Sequence, residues 1–477
     1  MIFSGFLRAL GAAARYGDDA RPRVRLKNRY LDISAERSAG DSDSQFFSRG
    51  HMAKVYPFRG LCYSRSKVSI EKVVTQPYDK ISKVMQDRYY AQHPNNIIRI
   101  VLGKQNPEDT AGNNVYTRAA AALAEWRASG VLERIDAPAF FVYFQRFTIP
   151  GTNEVRERRG FIGVAQLEDY KNKIVFPHER TLTGPKKDRL ELLRHTRTHF
   201  EQIFMLYEDR QQRIDRTLEG IAMGAPDVQL EDEYGVTHTL WMLTDRSTVD
   251  FIQREMNDKR LLIADGHHRY ETALAYRDEM RAKAGAIDPK APYERLTMCF
   301  FNMDAPGLTI LPTHRVLSNV DAFDSQLFFD RAGEFFDITP APHDPNVLRA
   351  ALQESGEKRV SIGVFTDGGS RCSILSLKSS ETPRPLDVNI LHRLLIEKCL
   401  GISEEAVKKE SHIAYVREMD AALNAVKGGN AQISFLLNPT GLHRMRDIAY
   451  EGDVMPQKST DFYPKVLSGL VMYTLED

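Results

Sequence analysis

Cysteine is scarce in this sequence of 477 residues. The four cysteines, Cys62, Cys299, Cys372 and Cys399, lie far apart and form no C-x-x-C pair. A disulfide framework or a thiolate zinc site needs cysteines in greater number or at closer spacing. The scarcity therefore predicts a protein of the reducing cytoplasm that has neither feature.

An excess of one charge and a long apolar segment are also missing. Lysine plus arginine number 65 and aspartate plus glutamate 64, which gives a net charge of +1. A nucleic-acid-binding protein normally carries a basic excess, so we expect no nucleic-acid partner. Apolar runs such as Ala137–Phe144 fall well short of the roughly 18 residues of a membrane helix, so we expect no membrane contact.

Four common catalytic signatures are absent as well. The sequence contains no G-x-x-x-x-G-K-[ST], no G-x-G-x-x-G after a strand, no H-E-x-x-H and no G-x-S-x-G. These patterns are typical of P-loop enzymes, Rossmann dinucleotide sites, zinc proteases and α/β-hydrolases. The sequence therefore supports none of these four classes, and any catalytic site of this chain must use a different arrangement of residues.

Length and pattern predict the fold class. A chain of 477 residues exceeds the roughly 250–300 residues of one hydrophobic core. Strand-like and helix-like segments alternate from Met52 onward, which predicts an α/β (α+β) fold with mixed sheets in two or three packed subdomains. We expect a disordered extension over 1–51, or alternatively a basic arm there. The expected subdomains are 52–235, 236–320 and 321–477.

Periodicity and turn residues predict the individual elements. The predicted strands are Lys54–Pro57, Ser69–Thr75, Asn96–Leu102, Phe140–Phe147, Arg159–Ala165, His238–Leu243, Arg260–Ala264 and Leu296–Asn302. The predicted helices are Ser82–Gln92, Tyr116–Ser129, Arg189–Leu206, Ser247–Met256 and a helix that follows Gly266 to about Ala284.

The strongest motif is the segment Ala264-Asp265-Gly266-His267-His268-Arg269-Tyr270. A strand ends at Asp265, and Gly266 permits a tight turn before a helix begins. The exposed N–H groups and the dipole of a helix start attract anions, and an arginine adds a two-pronged phosphate contact. The segment predicts a phosphate site formed by Gly266, His267, His268 and Arg269.

Two other interpretations of this segment stay open. It could be a glycine turn with ordinary helix capping, in which His267 and His268 are surface or satisfied polar groups. It could also hold a metal ion with Asp265, although adjacent histidines on a helix point in different directions. We therefore predict no protein-only metal site.

Several further segments, taken together with this turn, resemble the family of domain of unknown function 1015 over nearly all of residues 52–477. The resemblance implies membership of that family, whose name implies no activity. The matching segments are Tyr56-Pro57-Phe58, Gln76-Pro77-Tyr78-Asp79, Pro177-His178-Glu179-Arg180-Thr181, Leu311-Pro312-Thr313-His314-Arg315, Met455-Pro456-Gln457-Lys458-Ser459-Thr460 and Phe462-Tyr463-Pro464-Lys465.

Over about 236–290 the D-G-H-H-R turn is similar to the phosphate-binding turn of the ParB/sulfiredoxin superfamily, notably its free serine kinases. This resemblance implies a ParB/sulfiredoxin-like central unit in which Gly266 to Arg269 hold nucleotide phosphates. Sulfiredoxin needs a cysteine inside the turn, where this sequence has His267, so we do not expect sulfinic-acid repair. No helix-turn-helix pattern is evident, so we do not expect DNA binding of the ParB kind.

Phosphoryl transfer also needs cations over the phosphate oxygens and a carboxylate that accepts the hydroxyl proton. We expect Lys458, Ser459, Thr460 and Lys465 to close over the phosphates, or alternatively the lysines to be solvated surface charges. The candidate catalytic residues are Asp79, Glu179, Asp265 and His267. Asp79 could instead cap a turn and Glu179 form an ordinary ion pair, while Asp265 could bind Mg²⁺ or brace the turn. His314 and Arg315 could be a second anion contact or a structural pair.

The sequence thus predicts a cytoplasmic phosphotransferase that moves a phosphoryl group from ATP or ADP, with Mg²⁺, to a small-molecule hydroxyl such as that of free serine. The first alternative is a non-catalytic sensor of a nucleotide or phospho-ligand. The second is a nucleotide or phosphoester hydrolase. The predicted partners are the nucleotide and the small acceptor, and the sequence predicts no particular oligomer.

Overall fold

The structure is a computed structural model of the whole chain, and the part of it described here has five ranges. The prediction for residues 1–51 lies outside them, as do Arg180, Thr181 and Gln457 of the family segments. The described ranges are 53–179, 183–378, 385–408, 412–456 and 458–476.

Strands occur along the whole described part of the chain. In chain order they are β1 (Val55–Tyr56), β2 (Leu61–Tyr63), β3 (Leu132–Arg134), β4 (Phe140–Thr148), β5 (Val155–Gln166), β6 (Val175–Phe176), β7 (Thr198–His199), β8 (Ile203–Tyr207), β9 (Val228–Glu231), β10 (Thr237–Leu243), β11 (Leu261–Asp265), β12 (Arg295–Asn302), β13 (Thr309–Leu311), β14 (His314–Leu317), β15 (Phe336–Pro340), β16 (Ser361–Thr366), β17 (Arg371–Leu377), β18 (Ile413–Val416), β19 (Ile433–Leu436), β20 (Asp461–Tyr463) and β21 (Tyr473–Thr474).

Helices alternate with these strands. The α-helices are α1 (Lys83–Gln92), α2 (Ile98–Val101), α3 (Val115–Ala128), α4 (Thr183–Thr196), α5 (Arg213–Ala222), α6 (Arg246–Met256), α7 (His267–Ala284), α8 (Ser325–Phe335), α9 (Pro345–Lys358), α10 (Asp387–Ile390), α11 (Glu404–Lys408), α12 (Met419–Lys427) and α13 (Leu442–Glu451). Helix α10 continues as a π-helix over Leu391–Cys399, and the short 3₁₀ helices are Ile70–Lys72, Tyr78–Lys80, Tyr170–Asn172, Pro292–Glu294 and Asp367–Gly369.

A mixed nine-stranded sheet forms the larger half of the fold. Its order is β6-β11-β8-β12-β5-β4-β10-β9, and β1 pairs with β5. Alternate side chains of β4 point to opposite faces, as a strand requires. Phe141 and Tyr143 therefore join the core that faces the second sheet, whereas Phe140 and Val142 pack on the other face beneath α5, α6 and α7. The strands of this sheet come from both sides of residue 235, and the three predicted subdomain boundaries stay a prediction.

A six-stranded sheet in the order β15-β17-β16-β19-β14-β18 forms the second half. The chain then returns to the first half, because β20 pairs with β13 and β21 pairs with β7. Arg158, a buried residue of β5, stabilises the position of this C-terminal segment by donating hydrogen bonds to the backbone carbonyl groups of Tyr463 and Pro464. The C-terminal segment is thereby held beside β5, a strand of the first sheet.

The observed elements confirm the predicted mixed α/β class and correct three assignments. Ser69–Thr75 is not a strand, since it contains only the 3₁₀ turn Ile70–Lys72. Asn96–Leu102 is not a strand either: the Asn96 side chain accepts from the Ile98 N–H, and a short buried helix follows. The predicted helix over Arg189–Leu206 ends at Thr196, and β7 and β8 follow it. Within the described ranges, no helix is both long and apolar enough to cross a bilayer.

Candidate functional site

The junction between β11 and α7 is built around a glycine in the left-handed region. Gly266 has φ 100° and precedes an 18-residue helix without a side-chain cap. A Cβ atom at this position would lie 3.0 Å from both Arg269 Nη2 and Ile203 Cδ1, so only glycine fits without strain. The first turn of an α-helix leaves its N–H groups without intrahelical acceptors. The amides that start α7 are therefore available to an anion.

A polar cavity lies in front of this junction. Four separate parts of the chain line it: the Tyr78–Lys80 turn, the segment that follows β6, the junction of β11 with α7, and the returning C-terminal segment. The residues that line the cavity are Tyr78, Asp79, Lys80, Glu179, Asp265, Gly266, His267, His268, Arg269, Lys458, Thr460 and Lys465.

Asp265 lies at the floor of the cavity between two cations. Lys465 Nζ is 2.8 Å from its Oδ1, and Arg269 Nη2 is 2.9 Å from its Oδ2. Although burial opposes ionisation, Lys465 and Arg269 hold the pKa of Asp265 far below its usual value. Because both carboxylate oxygens are engaged and the group stays charged, Asp265 is poorly suited to accept a proton or bind Mg²⁺, and it braces the turn.

Lys465 is itself held by two carboxylates. Besides Asp265, its Nζ lies 3.2 Å from Asp461, which also pairs with Arg417 and lies 3.7 Å from Lys80. Burial disfavours the charged lysine, yet the two carboxylates raise the pKa of Lys465 above its ordinary value. The lysine is therefore a fixed positive charge at the cavity wall.

Arg269 is only partly available to a ligand. Its Nη1 donates to the backbone carbonyl of Gln202 at 2.8 Å, and its Nη2 donates to Asp265. Its Nε lies 3.9 Å from Glu201 Oε2. The side chain is 11% exposed and lines the cavity. Arg269 thus contributes charge to the site while two of its donors already have acceptors.

The imidazole of His267 is committed to structure. Its Nε2 accepts a hydrogen bond from the backbone N–H of His178 at 3.3 Å. Burial lowers the pKa of His267 well below the ordinary value, so the ring is neutral and its basic nitrogen is occupied. The predicted catalytic role of His267 is therefore not supported by this geometry, and the residue offers the cavity its backbone amide. His268, the next residue, is partly exposed at the cavity wall.

Glu179 anchors the loop over 458–460. Its Oε1 accepts from the backbone N–H groups of Ser459 and Thr460 at 3.1 and 3.2 Å and lies 3.2 Å from Thr460 Oγ1. The same hydroxyl lies 2.8 Å from Nε2 of buried His178, whose Nδ1 donates to the Ile263 carbonyl. One carboxylate oxygen of Glu179 thereby fixes the loop that brings Lys458 and Thr460 to the cavity.

Asp79 differs from the other two carboxylates. It lies in the middle of the Tyr78–Lys80 turn, its side chain lines the cavity, and it is exposed. In the part of the chain that the structure describes, its carboxylate has no hydrogen bond or ion pair within 4 Å. It is the carboxylate of the cavity whose oxygens are open to a ligand.

Three predicted residues do not line this cavity. His314 is buried in the second sheet, where its Nδ1 accepts from the Leu437 N–H. Arg315 is 1% exposed and donates to the Lys458 carbonyl at 3.0 Å, so it touches the loop from behind. Ser459 turns its hydroxyl to the Pro456 carbonyl. His314 and Arg315 therefore do not line this cavity, and their role as a second anion contact stays a prediction.

Sequence reasoning missed the residues that surround the charged floor. Tyr78 and Lys80 are the chain neighbours of Asp79 in the same turn, so the prediction of Asp79 as a site residue could have included them. Glu201 gave none, since it comes close only because β8 runs antiparallel to β11 and places Phe204 opposite Asp265. The sequence also offered no signal for Asp461, although it lies only four residues before Lys465.

The family model described as protein of unknown function (DUF1015) matches residues 55–400, which is most of the chain. The chain belongs to this family. The predicted family membership is thereby confirmed. No curated protein matches the sequence.

Several solved structures share a distant likeness with the chain. A free serine kinase in complex with AMP aligns with 61% of this chain and 83% of its own, at 10% identity and a TM-score of 0.30. A conserved hypothetical protein from Pyrococcus furiosus covers 64% and 93%, at 12% identity and a TM-score of 0.33. SbnI with a C-terminal truncation from Staphylococcus aureus covers 64% and 85%, at 10% identity and a TM-score of 0.29. These likenesses are too distant to carry an argument about the site.

Proposed function

We propose that the chain transfers a phosphoryl group from ATP or ADP to the hydroxyl group of a small molecule such as free serine. The observation that carries this function is the meeting of three kinds of group in one cavity. They are the amides at the start of α7, the cations Lys458 and Lys465, and the open carboxylate of Asp79. Phosphoryl transfer depends on positioned phosphates, positive charge and an oriented nucleophile.

The charge of the cavity supports an anionic substrate. Four cationic side chains and three carboxylates line it, a difference of one positive charge. The amides that start α7 add the positive end of a helix dipole. The cations are Lys80, Arg269, Lys458 and Lys465, and the carboxylates are Asp79, Glu179 and Asp265.

In the proposed reaction, the transferred phosphate lies on the amides of 267–269 beneath Lys458 and Lys465. Asp79 orients the acceptor hydroxyl and takes its proton. The hydroxyl oxygen forms a bond to phosphorus, the bond between phosphorus and the bridging oxygen of the nucleotide breaks, and the shortened nucleotide leaves with that electron pair. Lys458 is exposed at the rim, where it can neutralise charge on the leaving oxygens.

Mg²⁺ usually binds phosphate oxygens together with only one or two protein carboxylates. Within the described ranges no cluster of three or more histidine, cysteine, aspartate or glutamate side chains is arranged for a metal ion. The second oxygen of Glu179, whose Oε1 alone is engaged by the 458–460 loop, fits this smaller contribution. Mg²⁺ held there would supply charge neutralisation for the phosphates.

The test is an assay of the full chain with ATP or ADP, Mg²⁺ and free serine, followed by ³¹P NMR for a phosphomonoester product. We expect Asp79→Asn to lower the transfer rate by about 100-fold, within the range of general-base catalysis, and to change nucleotide affinity little. Asp258→Asn, at a carboxylate that is 74% exposed and outside the cavity, is the matched control.

Three outcomes would contradict the proposal. Release of inorganic phosphate without any acceptor would indicate a hydrolase. Nucleotide binding without turnover, unaffected by Asp79→Asn, would indicate a sensor. Product formation that is equally fast in Asp79→Asn and Asp258→Asn would remove Asp79 from the chemistry.

A further inference from the structure

A second cavity lies behind the loop over 458–460, on the side of the second sheet. Its volume of about 540 Å³ falls in the range of small-molecule sites. Helix α9, the segment that starts α10 and the turn between β19 and α13 surround it. The residues that line it are Thr313, Arg315, Gln353, Gly356, Glu357, Pro385, Leu386, Asp387, Val388, Leu437, Asn438, Pro439, Thr440, Gly441, Arg444 and Ser459.

Arg315 is a buried positive charge without a carboxylate partner in the described ranges. It is 1% exposed, and its two terminal nitrogens donate only to the backbone carbonyl groups of Thr313 and Lys458. Its Nε has no hydrogen-bond partner among the residues that the structure describes. A buried charge is costly unless it is paired. Burial lowers the pKa of Arg315 to about 10, so the group is still charged at neutral pH, and no carboxylate of the described ranges forms an ion pair with it.

A helix start lies on the same cavity. Helix α13 has ten residues and begins after Gly441, which provides no side-chain cap. Its first N–H groups therefore lack acceptors on the side where Thr440 and Gly441 line the cavity. Arg444, in the first turn of this helix, adds a second guanidinium to the wall. Helix starts of this kind favour an anion.

We propose that this second cavity binds one small molecule through an oxyanion, a carboxylate or a phosphate, which pairs with Arg315 and with the amides that start α13. Glu357 and Asp387 line other parts of the wall. A second negative charge on the ligand would be repelled there, so the rest of the ligand is neutral or cationic. The site is separate from the first cavity and does not depend on phosphoryl transfer.

Ligand-observed ¹⁹F NMR on the full chain tests the site with two probes. Monofluorophosphate represents the phosphate class and trifluoroacetate the carboxylate class, and the probe that binds more tightly identifies the head group. Arg315→Met removes the charge while it keeps an unbranched side chain. Gly441→Asp places a carboxylate over the helix start, where φ −66°, ψ 132° and open space allow any residue.

The controls separate the two cavities. Gly441→Asp keeps the fold testable if Arg315→Met fails to fold, because aspartate is a favoured N-cap residue. Lys458→Ala perturbs the first cavity alone, since the contact with Arg315 uses the backbone carbonyl of Lys458.

We expect both Arg315→Met and Gly441→Asp to weaken binding of at least one probe tenfold or more, and Lys458→Ala to leave that binding unchanged. If Gly441→Asp does not weaken the binding of either probe, the assignment is overturned, whatever the effect of Lys458→Ala. Failure of both probes to bind the unmodified chain would overturn it as well. None of these results depends on whether phosphoryl transfer is observed.

Discussion

Removal of the Lys465 charge tests the electrostatic floor of the first cavity. The change is Lys465→Met, which keeps most of the side-chain volume and removes the ammonium group. In the folded chain this group pairs with Asp265 at 2.8 Å and Asp461 at 3.2 Å, and all three side chains are largely buried. The substitution therefore leaves two buried carboxylates with less compensation.

The magnitude follows from which partners remain. Loss of one partner of a buried ion pair costs about 3–5 kcal/mol. Asp265 keeps Arg269, and Asp461 keeps Arg417 and the more distant Lys80. We therefore expect the lower end, a loss of about 3 kcal/mol in the free energy of unfolding.

The pH dependence has a definite sign. The folded pKa of Asp265 is depressed, so its contribution is present above the unfolded value of about 4 and disappears as pH falls through the folded pKa. The folded pKa of Lys465 is raised, so its contribution is present below the unfolded value of about 10 and disappears as pH rises through the folded pKa. The difference between the unmodified chain and Lys465→Met should be constant from about pH 5 to 9.

Urea unfolding followed by tryptophan fluorescence measures this difference. The exposed Lys290→Met is the matched control and should change stability by less than about 0.5 kcal/mol. A second substitution, Asp265→Asn in the Lys465→Met chain, should recover part of the loss because it removes one of the two buried carboxylates that lost the lysine. A loss below about 1 kcal/mol, or no recovery in the double variant, would refute the reasoning.

Three further changes have defined outcomes. Gly266→Ala should destabilise the chain by about 1–2 kcal/mol and weaken ADP binding, since φ 100° is strained for alanine; an unchanged melting temperature would contradict this. Glu179→Ala should weaken ADP binding about tenfold in calorimetry, because it releases the 458–460 loop, while Glu179→Gln should retain most affinity. Burial lowers the pKa of His199 and His314 to about 3, so unfolding at pH 6, 5 and 4.5 should show stability falling below about pH 6.5, not a flat profile.

Local signals made the turn at the candidate site predictable. A buried apolar strand, a glycine and a helical repeat follow one another within twenty residues. The helix that starts at His267 and ends at Ala284 therefore matches the predicted bounds. The antiparallel pair β4 and β5 was predictable for the same reason, since its turn lies between two neighbouring apolar runs.

Other features depend on contacts that no local pattern contains. The run Asn96–Leu102 is apolar and β-branched, a composition that fits a buried strand or a buried helix equally well, and side-chain capping by Asn96 decides for the helix. His314 and Arg315 could be a second anion contact or a structural pair on sequence alone, and no local pattern shows that β14 places them in the second sheet, away from the first cavity. The sequence motifs therefore predicted the types of charged residue that form the floor of the cavity. They could not predict which of these side chains form ion pairs, because the partners come from distant parts of the chain.

The most direct test of the central claim is an experimental structure of the chain with ADP and Mg²⁺. The account predicts that the terminal phosphate of ADP lies about 3 Å from the amide nitrogens of His268 and Arg269, with Lys458 over its oxygens. ADP bound with its phosphates away from the start of α7, or no ADP bound at saturating concentration, would contradict it.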